Sequence, residues 1–128
     1  MVDAAARVLS RGLARGHPVL FPVDRDPAGG DDGSGIGMLG GSGAHWVAVV
    51  GMWDDAGGAS TVAVVDGIRR RPTAVPLRLV VASCAQLWHF GEAKLHKYNP
   101  VLHREPVFRP PFDGAGVLDL ACQCVVLA

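Results

Sequence analysis

One apolar run lies at the centre of this 128-residue chain and follows a glycine-rich loop: Gly43-Ala44-His45-Trp46-Val47-Ala48-Val49-Val50-Gly51. The run is long enough for a buried strand and too short to cross a membrane. His45 stands where the loop meets the strand, a place that fixes an imidazole while one ring nitrogen can still reach a cleft, as a general base requires. The alternative is a half-buried histidine that hydrogen-bonds a main-chain carbonyl.

Length, charge and cysteine usage restrict the class of protein. A chain of 128 residues fits one domain, which we expect to span residues 1–128. The 12 basic and 12 acidic residues give no formal net charge, so we expect neither nucleic acid nor a membrane as a partner. Cys122 and Cys124 have no histidine at zinc-ligand spacing, and no metal or cofactor is expected. An odd cysteine count without a signal peptide or membrane span indicates a cytoplasmic protein.

Two elements are predicted before the central strand. An amphipathic helix is predicted over residues 2–13, because apolar residues recur there at helical spacing. These residues are Val2, Ala6, Leu9 and Leu13. A short strand is predicted over residues 19–23, and Pro22 within it indicates a hydrogen-bond ladder that is incomplete on one side.

A glycine- and aspartate-rich loop is predicted over residues 24–43, and we expect it to be flexible. Its aspartates are spaced like those of a calcium-binding loop, but Ala28 and Gly35 stand where an EF-hand needs oxygen ligands. The run Gly35-Ile36-Gly37-Met38-Leu39-Gly40 matches the dinucleotide-binding fingerprint, yet no strand immediately precedes it and a strand follows in place of a helix. A nucleotide-binding module is therefore a weaker alternative.

The central strand and a second apolar run, residues 61–65, are typical of an antiparallel hairpin joined by a loose turn. His45 and Asp66 then lie at the same open end of the strand pair. The Asp66 carboxylate could there bond the second ring nitrogen and fix its tautomer, so we expect the two residues within hydrogen-bond distance or one water apart. The alternative for Asp66 is a turn aspartate before glycine.

The rest of the chain completes a small α+β domain. Arg69, Arg70 and Arg71 form a basic cluster that is either solvated surface or a charged surface that steers an acidic peptide. After a third apolar run over residues 77–82, a short helix is predicted over 91–98 and a final strand over 117–127. The expected fold is an antiparallel sheet with an N-terminal helix and a short helix before the last strand.

Three blocks of the chain together carry a family resemblance. They are Arg15-Gly16-His17-Pro18-Val19-Leu20-Phe21-Pro22-Val23-Asp24-Arg25-Asp26, then Gly43-Ala44-His45-Trp46-Val47, then Gln86-Leu87-Trp88 with the helix that ends at Asn99. Their sequence resembles the actin maturation proteases, papain-like cysteine peptidases related to the bacteriocin-processing peptidases. The resemblance covers most of the chain and implies a partial papain-like fold, with these residues as its C-terminal half.

The resemblance also implies an activity and a partner. It implies a cytosolic thiol aminopeptidase that removes the acetylated first residue of actin, with the actin N-terminal peptide as substrate. His45 would be the general base that forms a thiolate–imidazolium pair and later protonates the leaving amine. Trp46 and the three arginines at 69–71 are predicted to bind the substrate.

The position of the nucleophile limits this reading. In the family the nucleophilic cysteine lies on a helix upstream of all three blocks, and here no cysteine precedes Cys84. We therefore expect an incomplete peptidase domain that lacks an N-terminal half, and a helix over residues 2–13 that leaves an apolar face exposed. The alternative is a non-catalytic peptide-binding or interaction domain on the same scaffold.

Overall fold

The computed structural model describes residues 1–30, 32–41, 43–87 and 124–128. Its helices are α1 (Val2–Ala14) and α2 (Leu77–Ala85), and its strands are β1 (Val19–Asp24), β2 (Ala44–Asp54), β3 (Ser60–Val65), β4 (Thr73–Pro76) and β5 (Val125–Val126). The strands form one sheet in the order β4-β3-β2-β1-β5, and all neighbouring strands are antiparallel. The predicted α+β class and antiparallel sheet are confirmed.

Helix α1 forms where the apolar spacing predicts it. Leu9 is fully buried in the core, whereas Val2 in the first turn is 37% exposed. The helix ends at Ala14, and two residues later Gly16, with a φ of +73°, reverses the chain and donates its N–H to the carbonyl of Leu13. Gly12 lies against β1, because a Cβ there would meet Val19 Cγ2 at 3.0 Å. The apolar face of α1 is therefore covered at its centre and open in its first turn.

The hairpin of β2 and β3 is confirmed and forms the centre of the sheet. Strand β1 lies on the other side of β2, in a register that pairs Val23 with His45. Within the described residues β5 pairs with β1 at Val19 and Leu20, so that Pro22 lies beyond this ladder, as its missing N–H predicts.

Both helices pack on the same face of the sheet. Leu9 of α1 and Leu77 and Val80 of α2 belong to one core cluster with strand residues such as Val47 and Val62. Neighbouring strand residues point to opposite faces, so the alternation of buried and exposed side chains along β2 marks which face meets the helices. This core-facing side of β2 carries Val47, Val49 and His45.

The third apolar run is helical and lies within α2. Four buried side chains of α2 recur at helical spacing: Leu77, Val80, Val81 and Cys84. Between them lie further apolar residues, which hide this period in the sequence. A short strand, β4, precedes the helix and pairs with β3.

Some predictions lie outside the described residues. The helix over residues 91–98 is one, and most of the strand over 117–127 is another, since only its end is described, as β5. Within the described part of the chain, neither helix combines the length and the apolar character that a membrane crossing needs.

Candidate active site

A cavity of about 70 Å³ lies where β1 and β3 end and where β2 and β4 begin. Its apolar wall is formed by core-facing strand residues such as Val47 and Val64. Its polar wall comes from the loop after β1 and from the connection between β3 and β4. The polar side chains are Arg25, Asp26, Ser34, His45, Asp66, Arg69 and Thr73. The sheet therefore brings His45, Asp66 and Arg69 to one place.

His45 is held by a main-chain oxygen. The ring is half-buried, and its Nε2 lies 2.7 Å from the carbonyl oxygen of Asp66. A carbonyl oxygen only accepts hydrogen bonds, so Nε2 carries the proton and donates it. Nδ1 makes no hydrogen bond with any residue that the structure describes. In the neutral ring Nδ1 therefore keeps its lone pair, which is what a proton acceptor needs.

The Asp66 carboxylate serves the turn after β3. Its Oδ1 accepts the main-chain N–H groups of Ile68 and Arg69, both at 2.8 Å, and its Oδ2 lies 4.0 Å from Arg69 Nε. Burial raises the pKa of Asp66, but these N–H donors and the positive charges of Arg69 and His45 outweigh burial and lower the pKa. The structure thus brings His45 and Asp66 together, as predicted, but the hydrogen bond uses the main-chain oxygen and not the carboxylate.

Of the three neighbouring arginines, Arg69 lines the cavity. Its Nη1 donates to Thr73 Oγ1 at 3.3 Å, and its Nη2 donates to the carbonyl of Gly33 in the loop after β1. Arg70 and Arg71 are exposed and are not among the cavity residues. The structure therefore brings one of the three arginines to His45.

Trp46 lies on the other face of the sheet. It follows His45 directly in β2, and neighbouring strand residues point to opposite faces. Its side chain is 42% exposed and is not part of the cavity wall. The predicted role of Trp46 in substrate binding gains no support from this position.

Asp24, at the end of β1, organises the loop that leads to His45, a role the sequence does not reveal. Its side chain is fully buried, and its Oδ2 accepts the N–H groups of Leu39 at 2.5 Å and of Gly41 at 2.8 Å. Its Oδ1 accepts the N–H of Gly43 at 2.9 Å, one residue before β2 begins. One carboxylate thus accepts hydrogen bonds from three main-chain N–H groups of the glycine-rich segment.

Ser83 of α2 connects that helix to Asp24, at the end of β1. Its buried hydroxyl accepts the N–H of Asp24 at 2.8 Å and donates to the carbonyl of Asp24 at 3.3 Å. A serine within an apolar run gives one hint of such a contact, because a buried hydroxyl needs partners.

These contacts weigh against the nucleotide-binding alternative. A phosphate-binding glycine loop offers its main-chain N–H groups to the ligand. Here the N–H groups of Gly37 and Leu39 already donate to the carbonyl and carboxylate of Asp24. The element that follows is a strand, β2, as the sequence predicts.

The described cysteines lie away from the cavity. Cys84 is 2% exposed in the core, and neither Cys84 nor Cys124 lines the cavity. Burial raises the pKa of the Cys124 thiol, whereas a nucleophilic cysteine needs a lowered pKa. Cys122 lies outside the described residues.

Comparison with known proteins gives no relative for this chain. No protein-family model, no curated protein and no solved structure matches it.

Proposed function

We propose that this chain provides the histidine half of a cytoplasmic, papain-like cysteine peptidase. More specifically, we propose an actin maturation protease-like aminopeptidase that removes the acetylated N-terminal residue of actin. The observation that carries the proposal is the orientation of His45, whose Nε2 is held by the Asp66 carbonyl while Nδ1 has no partner among the described residues. The sequence blocks around His17 and His45 support the choice of family.

The geometry suggests how the residues would act. Nδ1 of His45 takes the proton of the nucleophilic thiol, and the thiolate attacks the carbonyl carbon of the scissile bond. The imidazolium then gives this proton to the leaving amine. Nδ1 next accepts a proton from a water that hydrolyses the thioester. The Asp66 carbonyl keeps the ring in position through its hydrogen bond with Nε2.

We propose that the thiol comes from an N-terminal half that is not among these 128 residues. Neither described cysteine lines the cavity, and burial raises the pKa of Cys124. Arg69 lies in the cavity wall and can pair with an acidic side chain of the peptide. Arg70 and Arg71 are exposed nearby in the chain and would attract an acidic peptide by charge.

The test starts from the complete transcript, read for an in-frame upstream helix that carries a cysteine. The encoded polypeptide is incubated with an N-acetylated acidic peptide, and release of the first residue is measured. His45→Ala should lower turnover by about 10²-fold or more, because the general base is lost. His17→Ala is the matched control, since His17 is not part of the cavity wall, and should keep full turnover. Full turnover in His45→Ala would contradict the proposal.

A second candidate is a non-catalytic peptide-binding domain on the same scaffold. It is favoured by the position of Cys84 and Cys124 away from His45. This candidate predicts that the polypeptide binds the N-acetylated acidic peptide at the cavity and leaves it intact, with or without the upstream sequence. Cleavage that depends on His45 would rule it out.

A further inference from the structure

Arg69 joins the loop after β1 to the turn after β3. The described part of this loop that lines the cavity or borders it comprises residues 26–30 and 32–36, which we call the Gly33 loop. The Arg69 guanidinium donates to the Gly33 carbonyl and to the Thr73 hydroxyl. Both acceptors are neutral oxygens. The carboxylate oxygen with which Arg69 forms an ion pair among the described residues, Asp66 Oδ2, is 4.0 Å from Nε, beyond hydrogen-bond distance.

The Gly33 loop is firmly held at its base and weakly at Gly33. At the base, the N–H of Asp26 donates to the Gly35 carbonyl at 2.9 Å, and Ile36 is buried in the core. At Gly33 the φ angle is +75°, and a Cβ would find no atom within 4 Å. The N–H of Gly33 reaches the carbonyl of Gly30 at 3.4 Å, a long hydrogen bond. Among the described residues, the hydrogen bond from Arg69 to the Gly33 carbonyl is therefore the one that joins the tip of this loop to the turn after β3.

We propose that Arg69 is an exchangeable latch: a carboxylate of the bound peptide replaces the Gly33 carbonyl on the guanidinium, and the Gly33 loop is released from the cavity that His45 lines. The choice of an acidic peptide rests on the proposed function. A hydrogen bond between two charged groups is roughly twice as strong as one to a neutral acceptor, so a carboxylate can displace the carbonyl. A bidentate carboxylate that takes the Nη2 N–H now accepted by Gly33 binds fully only when the loop has moved, and this difference in affinity shifts the equilibrium.

The latch gives Arg69 a different role from its neighbours. The exchange occurs on a side chain in the cavity wall, so it selects peptides whose carboxylate reaches that wall. Arg70 and Arg71 lie outside the wall and would attract acidic peptides without moving the loop.

The test measures amide hydrogen exchange in the 128-residue chain. The reporters are the N–H groups of Ser34 and Gly35, which donate to Asp32 Oδ1 and to the Gly29 carbonyl. A saturating N-acetylated tetrapeptide of aspartate and glutamate should speed their exchange by about tenfold, the size expected for the loss of one hydrogen bond to a charged group. The same peptide built from asparagine and glutamine should leave their exchange unchanged.

Variants separate the latch from a general effect of charge. Arg69→Gln should show the faster exchange without peptide and no further change with it. Arg78→Gln, which removes an exposed arginine from α2, should behave like the parent chain. Arg69→Lys keeps the charge and loses the planar fork, so it should hold the loop less well than arginine.

The outcomes also separate the latch from the proposed peptidase. Faster loop exchange with a peptide that is never cleaved supports the latch and leaves peptidase activity to be judged by its own assay. Unchanged exchange at saturating acidic peptide overturns the latch, whether or not the complete polypeptide cleaves the peptide. Equal effects of Arg69→Gln and Arg78→Gln on the exchange rates would also overturn it.

Discussion

His45 Nε2 and the main-chain oxygen of Asp66 lie 2.7 Å apart, and this contact sets the tautomer of the ring. The acceptor belongs to the backbone, so it survives a change of the Asp66 side chain. We expect Asp66→Asn to keep the Nε2–H tautomer of the neutral ring. Long-range proton–nitrogen correlation spectra of the His45 ring test this directly, with His17 as the internal control. A switch to the Nδ1–H tautomer in this variant would instead assign the orienting role to the carboxylate.

The lowered pKa of Asp66 predicts a dependence of stability on pH. The folded state holds the ionised carboxylate through N–H donors and nearby positive charge, so its pKa lies below that of the unfolded chain. Such a group stabilises the fold above the unfolded pKa of about 3.9, and the stabilisation is lost as the pH falls through the folded pKa.

Asp66→Asn should therefore lower the free energy of unfolding at neutral pH and have a smaller effect in acid. Urea unfolding of both proteins from about pH 7 down to about pH 3 measures the difference. Asp54→Asn, at an exposed aspartate in β2, controls for removing a negative charge. A difference that grows toward acid would show that the folded pKa is not lowered.

Asp24→Asn should destabilise the fold by about 1–3 kcal/mol. The carboxylate accepts three N–H groups on two oxygens, whereas an asparagine has one oxygen and turns an NH₂ group toward a donor. Asp32→Asn is the matched control in the same loop, because Asp32 is exposed and accepts a single N–H, from Ser34. Urea unfolding of both variants at neutral pH gives the comparison. Equal losses would show that the three N–H contacts of Asp24 contribute little.

The sequence predicts those parts of the fold whose hydrophobic period is clear. The predictions of helix α1 and of the β2–β3 hairpin are confirmed. In both, polar residues or turn residues separate the apolar positions, so the hydrophobic period is visible in the sequence. Helix α2 is not recognisable in this way. Leu79 and Ala82 fill its polar positions with apolar side chains, and Val80 and Val81 are typical of strands.

The sequence predicts which residues meet at the candidate site, but it does not predict which hydrogen bonds they make. Strand order alone places His45 near Asp66, since both lie at one end of the hairpin. The acceptor for Nε2 is a carbonyl, a group that every residue carries, so no sequence pattern marks it. The role of Asp24 depends on the N–H groups of Leu39, Gly41 and Gly43, 15 to 19 residues away, and a loop of that length leaves its path undetermined in the sequence.

Gly41 and Gly40 form a matched pair that tests how closely the glycine-rich segment packs on α2. Both adopt positive φ, +78° and +65°, so alanine at either position costs about 1–2 kcal/mol of backbone strain. They differ in space: a Cβ on Gly41 would lie 2.5 Å from the carbonyl oxygen of Gln86, at the end of α2, and a Cβ on Gly40 would meet nothing within 4 Å.

Gly41→Ala should therefore destabilise the fold more than Gly40→Ala, by about a further 1–3 kcal/mol, because main-chain atoms must move apart. Denaturant unfolding of the two variants measures this difference, in which the shared strain cancels. The N–H of Gly41 also donates to Asp24, so the displacement should loosen the loop that leads to His45. In spectra of the His45 ring, Gly41→Ala should shift the nitrogen resonances more than Gly40→Ala. Equal stabilities and equal spectra would show that the contact with α2 does not hold this loop in place.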